Sequence, residues 1–254
     1  MKKTSTTYVY IFVVAMTVLV ALLLAGVKEA TQEQANINEN VFNKRAVLAA
    51  VAQPLEEAGI VPDELADDEV LSLFEEKMQQ EVLDVNGQPM ADIKAESIDM
   101  AQERKKDPQQ QMRPLYILDA NNEKYYILSV RGNGLWDEIW GYVALESDLN
   151  TIAGASFDHK GETPGLGAEI KDNPAFAAQF IGKKIYRDEK YVSVLVRKGG
   201  AKDDTYEVDG LSGATITADG VTNMLYKGIQ AYEPYLEKQR EEADAKMSQL
   251  LPAH

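Results

Sequence analysis

The chain has 254 residues, 45% of them hydrophobic, a formal net charge of −15 and no cysteine. That length holds one sizeable domain or two small ones plus an anchor. Disulfides, thiolate-held iron–sulfur clusters and cysteine zinc sites are excluded, and the negative charge argues against nucleic acid as a partner.

Only two histidines exist, His159 and His254. A His-rich metal centre or a bis-His haem is therefore not expected, and no metal site is assigned. Any redox chemistry must be carried by an organic cofactor.

From Thr4 to Val27 no residue is charged, and Val9 to Leu24 is almost wholly apolar. About 24 such residues in a helix reach roughly 36 Å, enough to cross a hydrocarbon core of about 30 Å. Lys2 and Lys3 precede the run, and the stretch after Lys28 turns acidic. The positive-inside bias predicts a cytoplasmic N-terminus and a main domain on the opposite side. Residues 1–28 are read as a cytoplasmic tip and an uncleaved anchor in the lipid bilayer. A signal peptide would have a shorter apolar region, roughly 7–15 residues. Leu24-Ala25-Gly26 resembles the start of a lipoprotein processing site, but Val27 stands where a cysteine is required.

Residues 29–112 read as an acidic, mostly helical spacer and packing region without chemistry of its own. Gln32 to Ala52 carries a loose apolar stripe at helical spacing that can continue the anchor, until Pro54 and Pro62 break it. Asp67-Asp68-Glu69 opens an amphipathic helix with Val70, Leu71, Leu73, Phe74 and Met78.

Residues 113–236 change to strands. Leu115–Leu118, Tyr125–Val130 and Ile139–Leu145 are rich in β-branched and aromatic residues, with Asn121-Asn122 and Gly132-Asn133-Gly134 as turns between them. Thr151–Phe157 and Tyr191–Val196 are two further candidate strands, and Asn173–Ile181 and Ala218–Tyr232 read as helices. Short loops between successive strands imply hairpins, hence a largely antiparallel α+β domain. Residues 237–254 are a polar tail.

The sharpest segment is Asp209-Gly210-Leu211-Ser212-Gly213-Ala214-Thr215-Ile216-Thr217, with Val221, Met224, Leu225 and Ile229 following at helical spacing. A helix starting near Thr217 or Ala218 places Thr215 just before a helix N-terminus. Free N–H groups and the helix dipole favour a phosphate there. The bland alternative is a plain cap, in which Ser212 or Thr217 satisfies backbone donors.

Two other segments stand out. His159-Lys160-Gly161-Glu162-Thr163-Pro164-Gly165-Leu166-Gly167 contains a tight Pro-Gly turn. Gly134-Leu135-Trp136-Asp137-Glu138-Ile139-Trp140 brings two tryptophans within five residues, whose default role is core packing. His159 is read as a structural, hydrogen-bonded histidine, and no catalytic residue is assigned.

Asp209-Gly210-Leu211-Ser212-Gly213-Ala214-Thr215 resembles the flavinylation motif of FMN-binding domains, Asp-x-x-Ser/Thr-Gly-Ala-Thr. The resemblance implies covalent FMN, joined through a phosphoester to Thr215, with Ser212, Gly213 and Ala214 beside it. Thr217 offers a second hydroxyl two residues on. The Glu-Thr-Pro-Gly-Leu-Gly loop is similar to the one that family places against the flavin, so Glu162, Thr163, Leu166 and Gly167 are expected to line the pocket. Gly-Leu-Trp resembles the family too, which makes Trp136 a candidate to stack on the isoalloxazine or simply to pack.

The layout from anchor to Tyr232-x-Pro234-Tyr235-Leu236 resembles the C subunits of sodium-translocating NADH:quinone oxidoreductases. That resemblance implies an electron-transfer protein in a bacterial inner membrane, with the main domain periplasmic. It would take electrons from a partner's iron centre and pass them to a flavin on another subunit. The complex would oxidise NADH, reduce ubiquinone and export sodium. Its partners would be the other subunits and a flavin transferase that uses FAD as donor. No Gly-x-Gly-x-x-Gly fingerprint follows a strand, so the chain itself is not expected to bind NADH. Two alternatives are a flavinylated G-type subunit of an Rnf electron-transport complex and a noncatalytic envelope-assembly protein.

Overall fold

The computed structural model describes residues 6–250. Lys2, Lys3, the first two residues of the uncharged run and His254 lie outside the described residues. The chain divides into two compact units, one ending at Asn43 and the other beginning at Lys44.

The first helix, α1 (Thr6–Ala49), runs 44 residues without a break. It includes one stretch long and apolar enough to cross a membrane, and the large apolar side chains from Tyr8 to Val27 are exposed. The helix continues through the polar stretch as its apolar stripe predicts, ending just before Pro54.

In the second unit, α2 (Ala52–Glu57) and α3 (Asp67–Lys77) precede a five-stranded sheet. The acidic start of α3 behaves as expected, with Glu69 reaching back to accept from the Ala66 N–H at 2.8 Å. The strands are β1 (Met78–Leu83), β2 (Arg113–Ala120), β3 (Glu123–Asn133), β4 (Glu138–Leu145) and β5 (Ile152–His159). They lie side by side in chain order, every pair antiparallel. The expected antiparallel α+β class is what the chain adopts.

The helical-spacer reading of residues 29–112 needs correcting. Met78–Leu83 forms the edge strand of this sheet, paired with β2. One side of an edge strand remains solvated, so the polar Gln79-Gln80-Glu81 carries no clear period-two signal. The short helix α4 (Met100–Glu103) follows β1 and is capped by Asp99.

Both faces of the sheet are covered. Leu128 and Val130 of β3 face α7 (Thr215–Gln230) within the main core, which also takes in Met224, Leu225 and Ile229. Between them in chain order come α5 (Glu169–Asp172) and α6 (Pro174–Ala178). The predicted helix over 173–181 shortens to α6, capped by Asn173. Phe176 and Phe180 meet Phe157 of β5, ring centroids 5.7 and 5.1 Å away. On the opposite face Phe74 of α3 meets Tyr116 edge-on at 5.6 Å, and Tyr116 meets Tyr142 at 6.1 Å. The last helix is α8 (Glu233–Leu250).

The predicted strand over 191–196 is split. Ser193 takes a left-handed φ of +62°, which separates β7 (Lys190–Tyr191), paired with β6 (Tyr186–Arg187), from β8 (Leu195–Arg197). Strand β8 pairs in parallel with β9 (Glu207–Asp209), a local exception to the antiparallel pattern. The apolar alternation was real, but tertiary pairing uses its two ends in different sheets.

Buried phenols are expected to make the fold alkali-sensitive. Desolvation raises Tyr142 and Tyr186 from 10.0 to about 12, and raises Tyr191, Tyr232 and Tyr235 further. A phenol whose folded pKa exceeds its unfolded value contributes stability that is fully present below about pH 10. It is lost as pH rises through the folded values. We expect the Tm of the full chain in detergent to fall by at least about 5 °C between pH 9 and pH 12. Circular-dichroism melts that stay level over that range would refute this reading of the tyrosines.

Candidate functional site

Strand β9 ends at Asp209, and the chain then turns through 210–214 into α7. Gly213 takes a φ of +74°, and a side chain there would place its Cβ 2.7 Å from Leu166 Cδ2. This close approach sets the Ser212–Ala214 turn against the Pro-Gly loop.

Thr215 is the first residue of α7, two or three positions earlier than the apolar spacing predicted. Ala214 is the N-cap, its carbonyl accepting from Ala218 N at 3.0 Å, and no side chain caps the helix. The plain-cap alternative therefore fails for both named residues. Ser212 is exposed, and Thr217 turns its hydroxyl elsewhere. Asp209 does not cap α7 either, its carboxylate accepting from Ala201 N at 2.7 Å. The opening N–H groups of α7 keep their capacity for an anion.

Glu162 holds the site together. Its carboxylate is buried, with one oxygen accepting from Trp136 N at 2.9 Å and the other from Thr217 Oγ1 at 2.7 Å. One side chain thus ties the Gly-Leu-Trp turn, the Pro-Gly loop and the first turn of α7. Gly134 and Gly167 pass close over it. A Cβ on Gly134 would lie 2.5 Å from Glu162 Oε1, and one on Gly167 2.6 Å from Thr217 Oγ1. His159 takes the structural role expected of it, its Nδ1 accepting from Glu162 N at 3.2 Å.

In the Pro-Gly loop, Leu166 N donates to the Thr163 carbonyl at 3.1 Å and Gly165 has a φ of +73°, so the expected tight turn is of type II. Thr163 Oγ1 accepts from Trp136 Nε1 at 3.0 Å. Core packing, the default role for the tryptophan pair, is wrong for Trp136, which is 68% exposed. Its indole is oriented by Thr163 rather than enclosed. Trp140 lies under the Arg131 guanidinium, 4.7 Å from its ring centroid.

The segments that Glu162 joins also carry exposed apolar side chains, Leu135, Trp136, Leu166 and Ile216. Together with an uncapped helix N-terminus, they offer an anion-binding point beside apolar surface. Of the two candidate hydroxyls, Thr215 is half-buried, whereas Thr217 is 1% exposed and bonded to Glu162. Sequence reasoning missed Ile216, and it put Glu162 in the pocket lining without the crosslink. No sequence signal pairs Glu162 with Thr217.

Comparison with known proteins accords with this geometry. The FMN-binding domain family model matches residues 134–230. The C subunit of the Na(+)-translocating NADH-quinone reductase of Vibrio anguillarum is 30% identical over 250 residues, 90% of this chain and 93% of that protein. Its counterpart from Neisseria meningitidis serogroup B is 31% identical over 243 residues, 87% of this chain and 88% of that one. The crystal structure of the counterpart from Parabacteroides distasonis superposes with a TM-score of 0.70 at 30% identity, covering 81% of this chain and 96% of that one. The alignments extend well beyond the residues matched by the FMN-binding family model, 134–230. The chain belongs to the family of C subunits of the Na(+)-translocating NADH-quinone reductases.

Proposed function

We propose that the chain carries FMN as a phosphoester on Thr215 and relays electrons within a sodium-translocating NADH:quinone oxidoreductase. The observation that carries this reading is Thr215 at the uncapped start of α7, beside exposed Trp136, Leu166 and Ile216. The opening N–H groups and dipole of α7 stabilise phosphate charge by about 0.3–1 kcal/mol or somewhat more, without Lys or Arg. Ser212, Gly213 and Ala214 keep the approach to Thr215 small and open. The exposed face of Trp136 and the Leu166 side chain offer apolar surface to a flat ring, and Glu162, Thr163 and Gly167 hold that surface in position.

FMN, when bound, supplies the electron chemistry. On attachment Thr215 Oγ1 would bond to the FMN phosphorus as the pyrophosphate bond of FAD broke. AMP leaves and the hydroxyl proton is released, the work of a separate flavin transferase. Covalent retention suits a domain facing the periplasm, away from the cytosolic flavin pool. Electrons would arrive from NADH oxidation elsewhere in the complex and leave towards ubiquinone. The anchor would lie in the inner membrane with its N-terminus cytoplasmic. Sodium passage belongs mainly to other subunits, since the described part of the apolar stretch, Thr6 to Val27, has no ionisable acidic or basic side chain.

The test is mass spectrometry of the chain made in a host with the transferase. A gain equal to one FMN less one water, mapped to the Thr215 peptide and abolished in Thr215→Ala, is the expected result. A colourless, unmodified chain from that host would leave an envelope-assembly role in its place.

A further inference from the structure

A cavity of about 500 Å³ lies between α4, residues 111–113, the end of β3 and the middle turns of α7. Thr215, Glu162, Trp136 and Leu166 are not among its walls. Its volume falls within the range of small-molecule sites.

Its lining reverses the charge of the protein. On a chain of net charge −15, this cavity is lined by Arg104, Arg113, Arg131 and Lys227 against the single carboxylate of Glu103. Glu103 is already engaged, by Lys106 at 2.6 Å and by Met112 N at 2.9 Å. Arg104 and Arg131 share Glu138, at 3.5 and 2.7 Å, and Arg104 also donates to the Gly132 carbonyl at 3.1 Å. Their guanidinium groups are thus held in place.

Arg113 and Lys227 differ. Neither is among the ion pairs within 4.0 Å of the described residues. Arg113 is half-buried and donates only to the Asp84 carbonyl, at 3.3 Å. Burial pushes its guanidinium pKa down, and the Asp84 charge nearby, which forms no ion pair with it, opposes that shift only in part. Desolvating a cation without a directly paired anion is costly, and an anion that enters and pairs with it offsets that cost.

We propose that this cavity binds a small multivalent oxyanion of the phosphate or pyrophosphate class, with Arg113 and Lys227 as its principal contacts and Arg104 and Arg131 as the fixed positive wall. The Arg113 fork suits two oxygens of one phosphoryl group, and Lys227 supplies a mobile point charge at the rim. The site is independent of the flavin, although both use α7.

The test is calorimetric titration of the full chain in detergent with inorganic pyrophosphate at about 0.1 M salt, where screening is moderate. Saturable one-to-one binding with a Kd at or below about 1 mM is expected. Lys227→Gln and Arg113→Gln should each weaken it at least about tenfold, and Thr215→Val should leave it unchanged. Lys227 is exposed, so its variant should fold normally. A parallel titration with short-chain phosphatidate distinguishes a lipid headgroup from a free solute, whichever binds tighter being the better match. Absence of saturable binding to both probes, or affinity untouched by Lys227→Gln and Arg113→Gln, would overturn the proposal.

Discussion

Replacing Glu162 with alanine is expected to destabilise the domain by about 2–5 kcal/mol, because it strands two donors at once. The Trp136 N–H and the Thr217 hydroxyl both end on this carboxylate, and neither makes another hydrogen bond among the described residues. A buried donor left unpaired, as Thr217 would be, costs about 1–3 kcal/mol and the part-buried Trp136 N–H less, partly offset by removing a buried charge. Three chain segments lose their common tie, so flavin content should fall with stability.

Glu162→Gln separates the charge from the connection. Its amide oxygen can accept from Trp136 N, while its NH2 donates to Thr217 Oγ1, a hydroxyl that can turn from donor to acceptor. The expected loss is about 1 kcal/mol or less, with the site still formed. Urea denaturation of both variants, read alongside their flavin absorbance, is the measurement. Equal losses in the two would mean that the carboxylate's charge matters, not its bridging.

Gly220→Ala should destabilise the domain even though glycine is a poor helix residue. Inside a helix, alanine is normally favoured over glycine by about 0.8–1.0 kcal/mol. Here α7 lies so close to β3 that a Cβ at position 220 would collide with the backbone carbonyl of Asn133, with Gly134 Cα 3.3 Å away. A rigid carbonyl cannot swing aside as a side chain can, so the helix must lift. Overpacking of this kind costs about 1–3 kcal/mol, enough to outweigh the helix propensity. The displaced segment is the first half of α7, which begins at Thr215, so flavinylation should slow as well. A rise in the urea midpoint for Gly220→Ala would show that the helix has room there.

The strands β2 to β4 were legible because each is a run rich in β-branched and aromatic residues punctuated by turn formers, as in Leu115–Leu118 and Asn121-Asn122. Strand β1 was not, since Gln79-Gln80-Glu81 belongs to a sheet edge whose solvated side tolerates polar residues. Tyr191–Val196 carried a correct apolar pattern and a wrong continuity, because Ser193 reverses the backbone between two different pairings. At the candidate site, the motif pointed to Thr215, which the fold places as the first residue of α7. Asp209, however, proved to bond the Ala201 turn rather than the helix start.

What the amino-acid order determined by itself was everything written in neighbouring residues: the length of the apolar N-terminal helix, the alternation of the strands, the helix after Thr215 and the small residues before it. Only the folded chain decided that Glu162 meets Thr217, 55 positions away, that Trp136 stays at the surface, and that Arg104, Arg113, Arg131 and Lys227 gather around one cavity. Periodicity and turn chemistry act over a few residues and leave a local trace. A hydrogen bond or charge cluster between distant segments exists only once packing has brought them together.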